Sequence, residues 1–429
     1  MKRPILTFLA ILVVAGMIGC SLPGATAETI KSDKPRDTSP TISPADQDRL
    51  VEGNTAFALD LYRLLAKEGG NIFFSPYSIS EALAMTYAGA RGQTEADTAG
   101  ALFFTLPQDG LHPAFNWLDL ELAKRGEGAK GKEGEGFRLH VVNAIWGQKD
   151  YQFLSPFLDT LATNYGAGLR LVDYINETEK ARVAINKWVE EQTEEKIKDL
   201  VPEGALNSLT RLVLTNAIYF NAAWMLPFDD ENTADGVFHR VGGSEVTVPM
   251  MKQTASLRYA EGDNYQAVEM PYDGGELSMI IILPDNGQFG DFQFADFTRS
   301  MDAALLRKIT NDLRTRSVTL TMPEFEFDSA FGLKDTLSDL GMAVAFADDA
   351  DFSAMSGQRD LHIQDVVHKA FISVDEAGTE AAAATAVIVG TVSLPEPAEM
   401  TIDSPFIFAI RDNATSSLIF LGQVVDPGQ

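Results

Sequence analysis

The stretch Asp375-Glu-Ala-Gly-Thr-Glu-Ala-Ala-Ala-Ala-Thr-Ala-Val-Ile-Val-Gly-Thr-Val392 begins as a turn around Gly378 and continues as a run of small side chains. Successive strand residues point to opposite sides of a sheet. With that period, Thr379, Ala381, Ala383, Thr385, Val387 and Val389 share one face, and Glu380, Ala382, Ala384, Ala386, Ile388 and Gly390 share the other. The only charge beyond the turn, Glu380, stays on a single side. A segment with one slim, uncharged face can enter an existing sheet without burying an ion or overfilling the core beneath it. Four consecutive alanines also favour helix, and an Ala/Thr/Val run suits an ordinary or aggregation-prone strand. The segment alone leaves helix and strand open.

The flanks narrow the choice. Upstream lies Val366-Val-His-Lys-Ala-Phe-Ile-Ser-Val-Asp-Glu376, and downstream Met400-Thr-Ile-Asp-Ser-Pro-Phe-Ile-Phe-Ala-Ile-Arg-Asp412. Nearer the N-terminus, Asn71-Ile-Phe-Phe-Ser-Pro-Tyr-Ser-Ile-Ser-Glu-Ala-Leu-Ala-Met-Thr-Tyr-Ala-Gly-Ala-Arg-Gly92 reads as a buried strand, a proline break and an Ala-rich helix. Together these segments resemble the serpins, a family of serine-protease inhibitors with a mobile reactive loop. The resemblance covers about residues 45–427 as one domain, although a length of 429 residues alone suggests two or three. It implies an α+β serpin fold: a large central β-sheet, two smaller sheets, about eight or nine helices, and an exposed reactive-centre loop over about residues 376–399.

The composition is that of an ordinary globular chain, 45% hydrophobic and 22% charged. Its formal charge is −27. Such a surface repels phosphate backbones and anionic headgroups, so nucleic-acid binding is not expected. Met-Lys-Arg, the apolar run Ile5 to Gly19 and then Cys20 resemble a lipoprotein leader, with residues 1–19 as signal peptide and Cys20 as the lipidated residue. Met17 stands where leucine is usual, and Ala25-Thr-Ala27 offers a competing cleavage site that would leave the protein secreted. Either way the body is extracytoplasmic. A single cysteine allows no internal disulfide. Residues 20–42 read as a disordered polar tether and residues 43–427 as the folded domain.

Along the body, Ser43-Pro44-Ala-Asp46 has the form of a helix start, with Leu50, Phe57, Leu61, Leu64 and Leu65 as its apolar stripe and Gly69-Gly70 as its stop. Val141–Trp146, Leu212–Phe220 and Leu277–Pro284 read as strands buried on both faces. Ser317–Phe327 alternates and reads as one half-covered strand. Arg125 to Gly136, rich in Gly, Lys and Glu, reads as a flexible surface loop with no basic face.

No enzyme signature is present: no His-Glu-x-x-His, no P-loop and no Gly-x-Ser-x-Gly elbow. Neither a metal site nor a cofactor is expected. The resemblance implies other roles. Ser75, Ser78, Asn216 and His368 match the shutter, where central strands part to admit the loop. Trp224 matches the breach tryptophan, where insertion starts. Glu376, Gly378, Thr379, Glu380, Ala381, Ala382, Ala383 and Ala384 match the hinge of inhibitory members, with Ala377 where a charged residue is common. Counting along the family's usual loop length puts the cleaved bond at Val392–Ser393, with Thr391–Val392 and Leu394–Pro395 as alternatives because the loop is about two residues longer than is common.

A medium, β-branched residue before the bond suits a shallow apolar pocket, so elastase-like or subtilisin-like proteases are favoured and trypsin-like ones are not. The implied partner is a secreted serine protease (a cysteine protease is a further class), held as a covalent acyl complex by a monomeric inhibitor. At ~25 cal/mol per Å2 of apolar surface, burying several hundred Å2 on insertion would release on the order of 10 kcal/mol. A non-inhibitory binding protein or chaperone of the same fold is the alternative.

Overall fold

The computed structural model describes residues 27–126, 129, 138–285, 294–379 and 397–428. Two sheets, of seven and nine strands, carry ten α-helices among these residues. The arrangement is the expected α+β fold. The strands of the central sheet are β1 (Glu28–Ile30), β2 (Arg138–Gln148), β3 (Leu169–Val172), β4 (Leu212–Ala223), β5 (Phe325–Gly332), β6 (Asp365–Val374) and β7 (Gly378–Thr379). Their spatial order is β1-β3-β2-β4-β7-β6-β5. The smaller sheets run together as one nine-stranded sheet, because the long strand Glu245–Gly262 pairs with 314–323, 265–269 and 234–239 along its length.

Three helices bear on the site. Ser43 accepts the Asp46 N–H at 3.2 Å, and α1 (Pro44–Leu65) follows with Leu50, Phe57, Leu61 and Leu65 buried. Gly69 and Gly70, at φ 76° and 80°, turn the chain away after it. Ser75 caps α2 (Pro76–Tyr87), accepting the Ser78 N–H at 3.1 Å. All of α2 is buried, and it lies against β2, β4 and the strand Leu418–Val424 of the second sheet. The third helix, α3 (Gln108–Leu122), packs against both α1 and α2.

Three expectations change. Residues 28–42 are not a tether: β1 pairs antiparallel with β3, and the polar residues after it are consumed by the body. Lys31 Nζ donates to the Gly166 carbonyl at 2.7 Å and Lys34 pairs with Asp159 at 2.8 Å. An unpaired sheet edge presents backbone donors and acceptors that even a short polar strand can satisfy. Ser317–Phe327 is not one strand. Pro323, with no N–H to donate, ends Arg314–Pro323 in the second sheet, and after Glu324 the chain enters the central sheet as β5. Arg125 is not a loop residue on the surface: its Nε donates to Asp412 Oδ1 at 2.6 Å, and the Asp412 side chain is fully buried. Residues 127–128 and 130–136 of that stretch lie outside the described residues.

Candidate functional site: the loop hinge and the seam of the central sheet

The segment that follows β6 turns back into the sheet within four residues. Asp375 builds the turn: its Oδ1 accepts the N–H groups of Ala377 at 2.9 Å and Gly378 at 3.1 Å, and its own N–H donates to the Gly378 carbonyl at 3.0 Å. Trp224 holds the turn from the side, with its N–H on the Ala377 carbonyl at 2.8 Å and its Nε1 on the Asp375 carbonyl at 3.1 Å. The indole stacks on Tyr272, with ring centroids 4.6 Å apart. Glu376 accepts from Thr233 Oγ1, and its carbonyl takes the Phe228 N–H at 2.8 Å.

Strand β7 then enters between β4 and β6: Gly378 faces Ala223, while Thr379 faces Ala222 on one side and Val374 on the other. Thr379 is 1% exposed, and its hydroxyl lies 2.8 Å from Tyr272 Oη. It is therefore already inside the sheet of the uncleaved chain. Its inward side chain also fixes which face would be buried next. Ala381, Ala383, Thr385, Val387 and Val389 share its parity.

Beyond β7 the sheet is closed. β4 and β6 pair directly and in parallel from Asp365↔Val213 to Ala370↔Ile218. Any further entry of the loop must separate this seam. The four residues matched to the shutter, Ser75, Ser78, Asn216 and His368, meet beneath it in one buried network. The Ser75 N–H donates to His368 Nε2 at 3.3 Å, so Nε2 is the acceptor and Nδ1 carries the proton toward Asn216 Oδ1. The Asn216 amide donates to Ser78 Oγ and Asn143 Oδ1. Ser75 Oγ donates to the Ile419 carbonyl at 2.7 Å, tying the network to the second sheet. Complete burial drives the His368 imidazole down to about 3 and keeps it neutral.

Three further residues belong to this region without having been singled out in the sequence. Asn143, on β2, accepts from Ser78 Oγ at 3.2 Å and donates to Glu81 Oε2 at 2.7 Å. Glu81 is buried on α2, and desolvation first, then the charge of Asp119, pushes its carboxyl up to about 8. Glu324 stands at the hinge; partial burial, and after it the carboxylates of Glu376, Asp375 and Asp230, raise it to about 7. An acid inside Ser-Ile-Ser-Glu-Ala-Leu, on a helix with no other charged residue, was the available signal for Glu81. Asn143 within Val-Val-Asn-Ala-Ile-Trp carried the same kind of signal. Glu380, Ala381, Ala382, Ala383, Ala384, Val392, Ser393 and Cys20 lie outside the described residues. Among the described residues no cluster of three or more His, Cys, Asp or Glu could hold a metal ion, and no helix is long and apolar enough to cross a membrane.

Comparison with known proteins agrees with this fold. Residues 52–427 match the family model Serpin (serine protease inhibitor). An uncharacterized serpin-like protein of Thermococcus kodakarensis is 38% identical, over all of this chain and 99% of its own length. The leukocyte elastase inhibitor of Sus scrofa is 40% identical, over 89% of this chain and all of its own. Among solved structures, a thermophilic serpin, tengpin, in the native state superposes with a TM-score of 0.81 at 27% identity, covering 94% of this chain and all of its own. Human thyroxine-binding globulin does so at 0.79 and 30%, covering 90% of this chain and all of its own.

Proposed function

The chain belongs to the serpin family, a family of protease inhibitors rather than enzymes, and from that premise we propose that it traps secreted serine proteases as a suicide substrate. A protease attacks the loop at Val392–Ser393 and forms its acyl bond to the Val392 carbonyl. The hinge then continues into the sheet behind Thr379, carrying the tethered enzyme with it before deacylation. The observation that carries this reading is the place of Thr379: a small, uncharged side chain seated between β4 and β6, at the head of alternate residues that are all small or β-branched. Nothing on that face would bury a charge as the seam opens. The medium apolar Val392 and the 40% identity to an elastase inhibitor together favour an elastase-like or subtilisin-like target.

The test is incubation with pancreatic elastase and with subtilisin, followed by a denaturing gel. A covalent complex at the summed mass is expected, with the new N-terminus at Ser393 by mass spectrometry. Absence of any such complex across several protease classes overturns the inhibitory reading. Similarity to thyroxine-binding globulin supports a second reading, a binding protein of the same fold, for which the composition of the hinge would be immaterial. We further propose that Cys20 is lipidated and holds the protein at the cell envelope. The apolar run that ends directly before the chain's only cysteine supports this, and release of Cys20→Ser from the membrane fraction checks it.

A further inference from the structure

The docked N-terminal segment reaches the seam through side chains. Besides the β1–β3 pairing, Asp37 N–H donates to the Thr163 carbonyl at 2.9 Å. At Gly168 a β-carbon would come 2.6 Å from the Ile30 carbonyl oxygen, so the glycine is what lets β1 lie this close. Arg36 goes deepest. Its Nε donates to Asn116 Oδ1 at 2.8 Å and its Nη2 to Asp119 Oδ2 at 2.5 Å, both on α3. Asn116 is fully buried and returns a bond from Nδ2 to the Asp37 carbonyl at 2.7 Å.

From Asp119 a continuous line of side chains runs inward. Its Oδ1 lies 3.3 Å from Tyr77 Oη, which is in turn 3.4 Å from Glu81 Oε1. Glu81 Oε2 accepts from Asn143, Asn143 from Asn216, and Asn216 from His368. The line crosses α3, α2, β2, β4 and β6, and ends at the seam. Because Glu81 is held protonated, its own O–H can fill the Tyr77 oxygen, which leaves the tyrosine proton for Asp119. Each link then has one donor and one acceptor. Asp119 faces Glu81, Tyr77 and Arg36, and of these only Arg36 is a cation. Removing it leaves a half-buried carboxylate beside a buried acid without its neutralising partner, which is the costly way to break such a pair.

We propose that residues 28–37 are a latch on the central sheet, in which Arg36 neutralises Asp119 and so holds the relay, and with it the β4–β6 seam, in the closed arrangement. Arg36 acts through Asp119 as a positioning residue. Detaching the segment lowers the resistance of the seam to opening, independently of any protease and of whether the protein inhibits one.

The experiment is hydrogen–deuterium exchange on the full chain without protease, comparing the wild type with Arg36→Ala. Losing a charge-assisted bond corresponds to roughly a tenfold change in an opening equilibrium. Amides of 213–218 and 366–370 are therefore expected to exchange about tenfold faster, although none of them touches Arg36. Arg36→Lys should recover most of the protection. In an Asp119→Asn background, Arg36→Ala should add less than about twofold at the seam, because no charge remains to be neutralised. A change confined to 28–37 and 163–172 overturns the proposal, as does an equal increase in the Asp119→Asn background. Should Arg36→Ala not fold, Arg36→Gln tests the same loss of charge with the side-chain length kept.

Discussion

A β-carbon added to Gly378 would lie 2.3 Å from the carbonyl oxygen of Ala222 and 2.7 Å from the α-carbon of Ala223. The hinge glycine is thus pressed against the backbone of β4, and it is this close approach that makes a side chain intolerable. Gly378→Ala should push β7 out of the slot, at a cost of about 1–3 kcal/mol typical of overpacking. A lower thermal midpoint of the uncleaved protein, together with greater protease susceptibility near 375–380, would show it. An unchanged midpoint would mean that β7 contributes little to the native state.

Thr379→Arg introduces a charge at a position that is 1% exposed and bonded to Tyr272. With nothing to pair it, the arginine opposes continuation of the hinge into the sheet. The variant is expected to be cleaved by elastase as quickly as wild type, yet to yield little or no covalent complex on a denaturing gel. A complex yield equal to wild type would separate trapping from insertion.

Cleavage itself should stabilise the protein if the loop inserts as proposed. An insertion that releases on the order of 10 kcal/mol, at roughly 1.2 °C per kcal/mol for a domain of this size, raises the thermal midpoint by about 12 °C. Differential scanning calorimetry of protein nicked at the loop provides the measurement. A midpoint that stays put would argue that the cleaved loop does not enter.

His368 is buried and neutral, with a pKa of about 3 against an ordinary 6.5. At pH values between the two, the unfolded chain binds the proton and the native one does not, so stability is lost as pH falls through this window. The loss is on the order of 3 kcal/mol by pH 4. His368→Gln should flatten that acid limb in thermal melts taken from pH 7 to 4, even if its stability at pH 7 is lower.

Glu81 has the opposite sign. Its native value of about 8 lies above the ordinary 4.5, so the native state holds a proton that the unfolded chain releases, and stability declines as pH rises from 4.5 to 8. Glu81→Gln keeps a neutral side chain of the same shape. It should gain on wild type as pH is raised, with the largest difference above pH 8. Equal pH dependence in the two proteins would place the Glu81 charge elsewhere.

The inward side of Thr379 was legible because its evidence is local: the alternation that starts there is visible in consecutive residues, and Thr379 is buried on the face that parity assigns. The helix start at Ser43 was legible for the same reason. What could not be read depends on register and distance. Asn143 meets Asn216 because β2 and β4 pair at that position, and Arg125 meets Asp412 across 287 residues. The three residues of β1 sit among charges with no apolar period, so only the unpaired edge of β3 makes them a strand. Pro323-Glu324 interrupts an alternation that continues through it, and no pattern of side chains announces that the chain has changed sheets.

The docking of β1 also sets a length. A tether over residues 20–42 could extend to ~80 Å at ~3.5 Å per residue, but with residues 28–37 bound to the body only about seven residues separate Cys20 from the sheet, a reach of ~25 Å. If Cys20 carries lipid, the folded body stays within a few nanometres of the bilayer. If the loop also traps proteases as proposed, the zone of protection becomes a thin shell against the envelope rather than the surrounding fluid, and a trapped protease would remain pinned at the surface it came to attack.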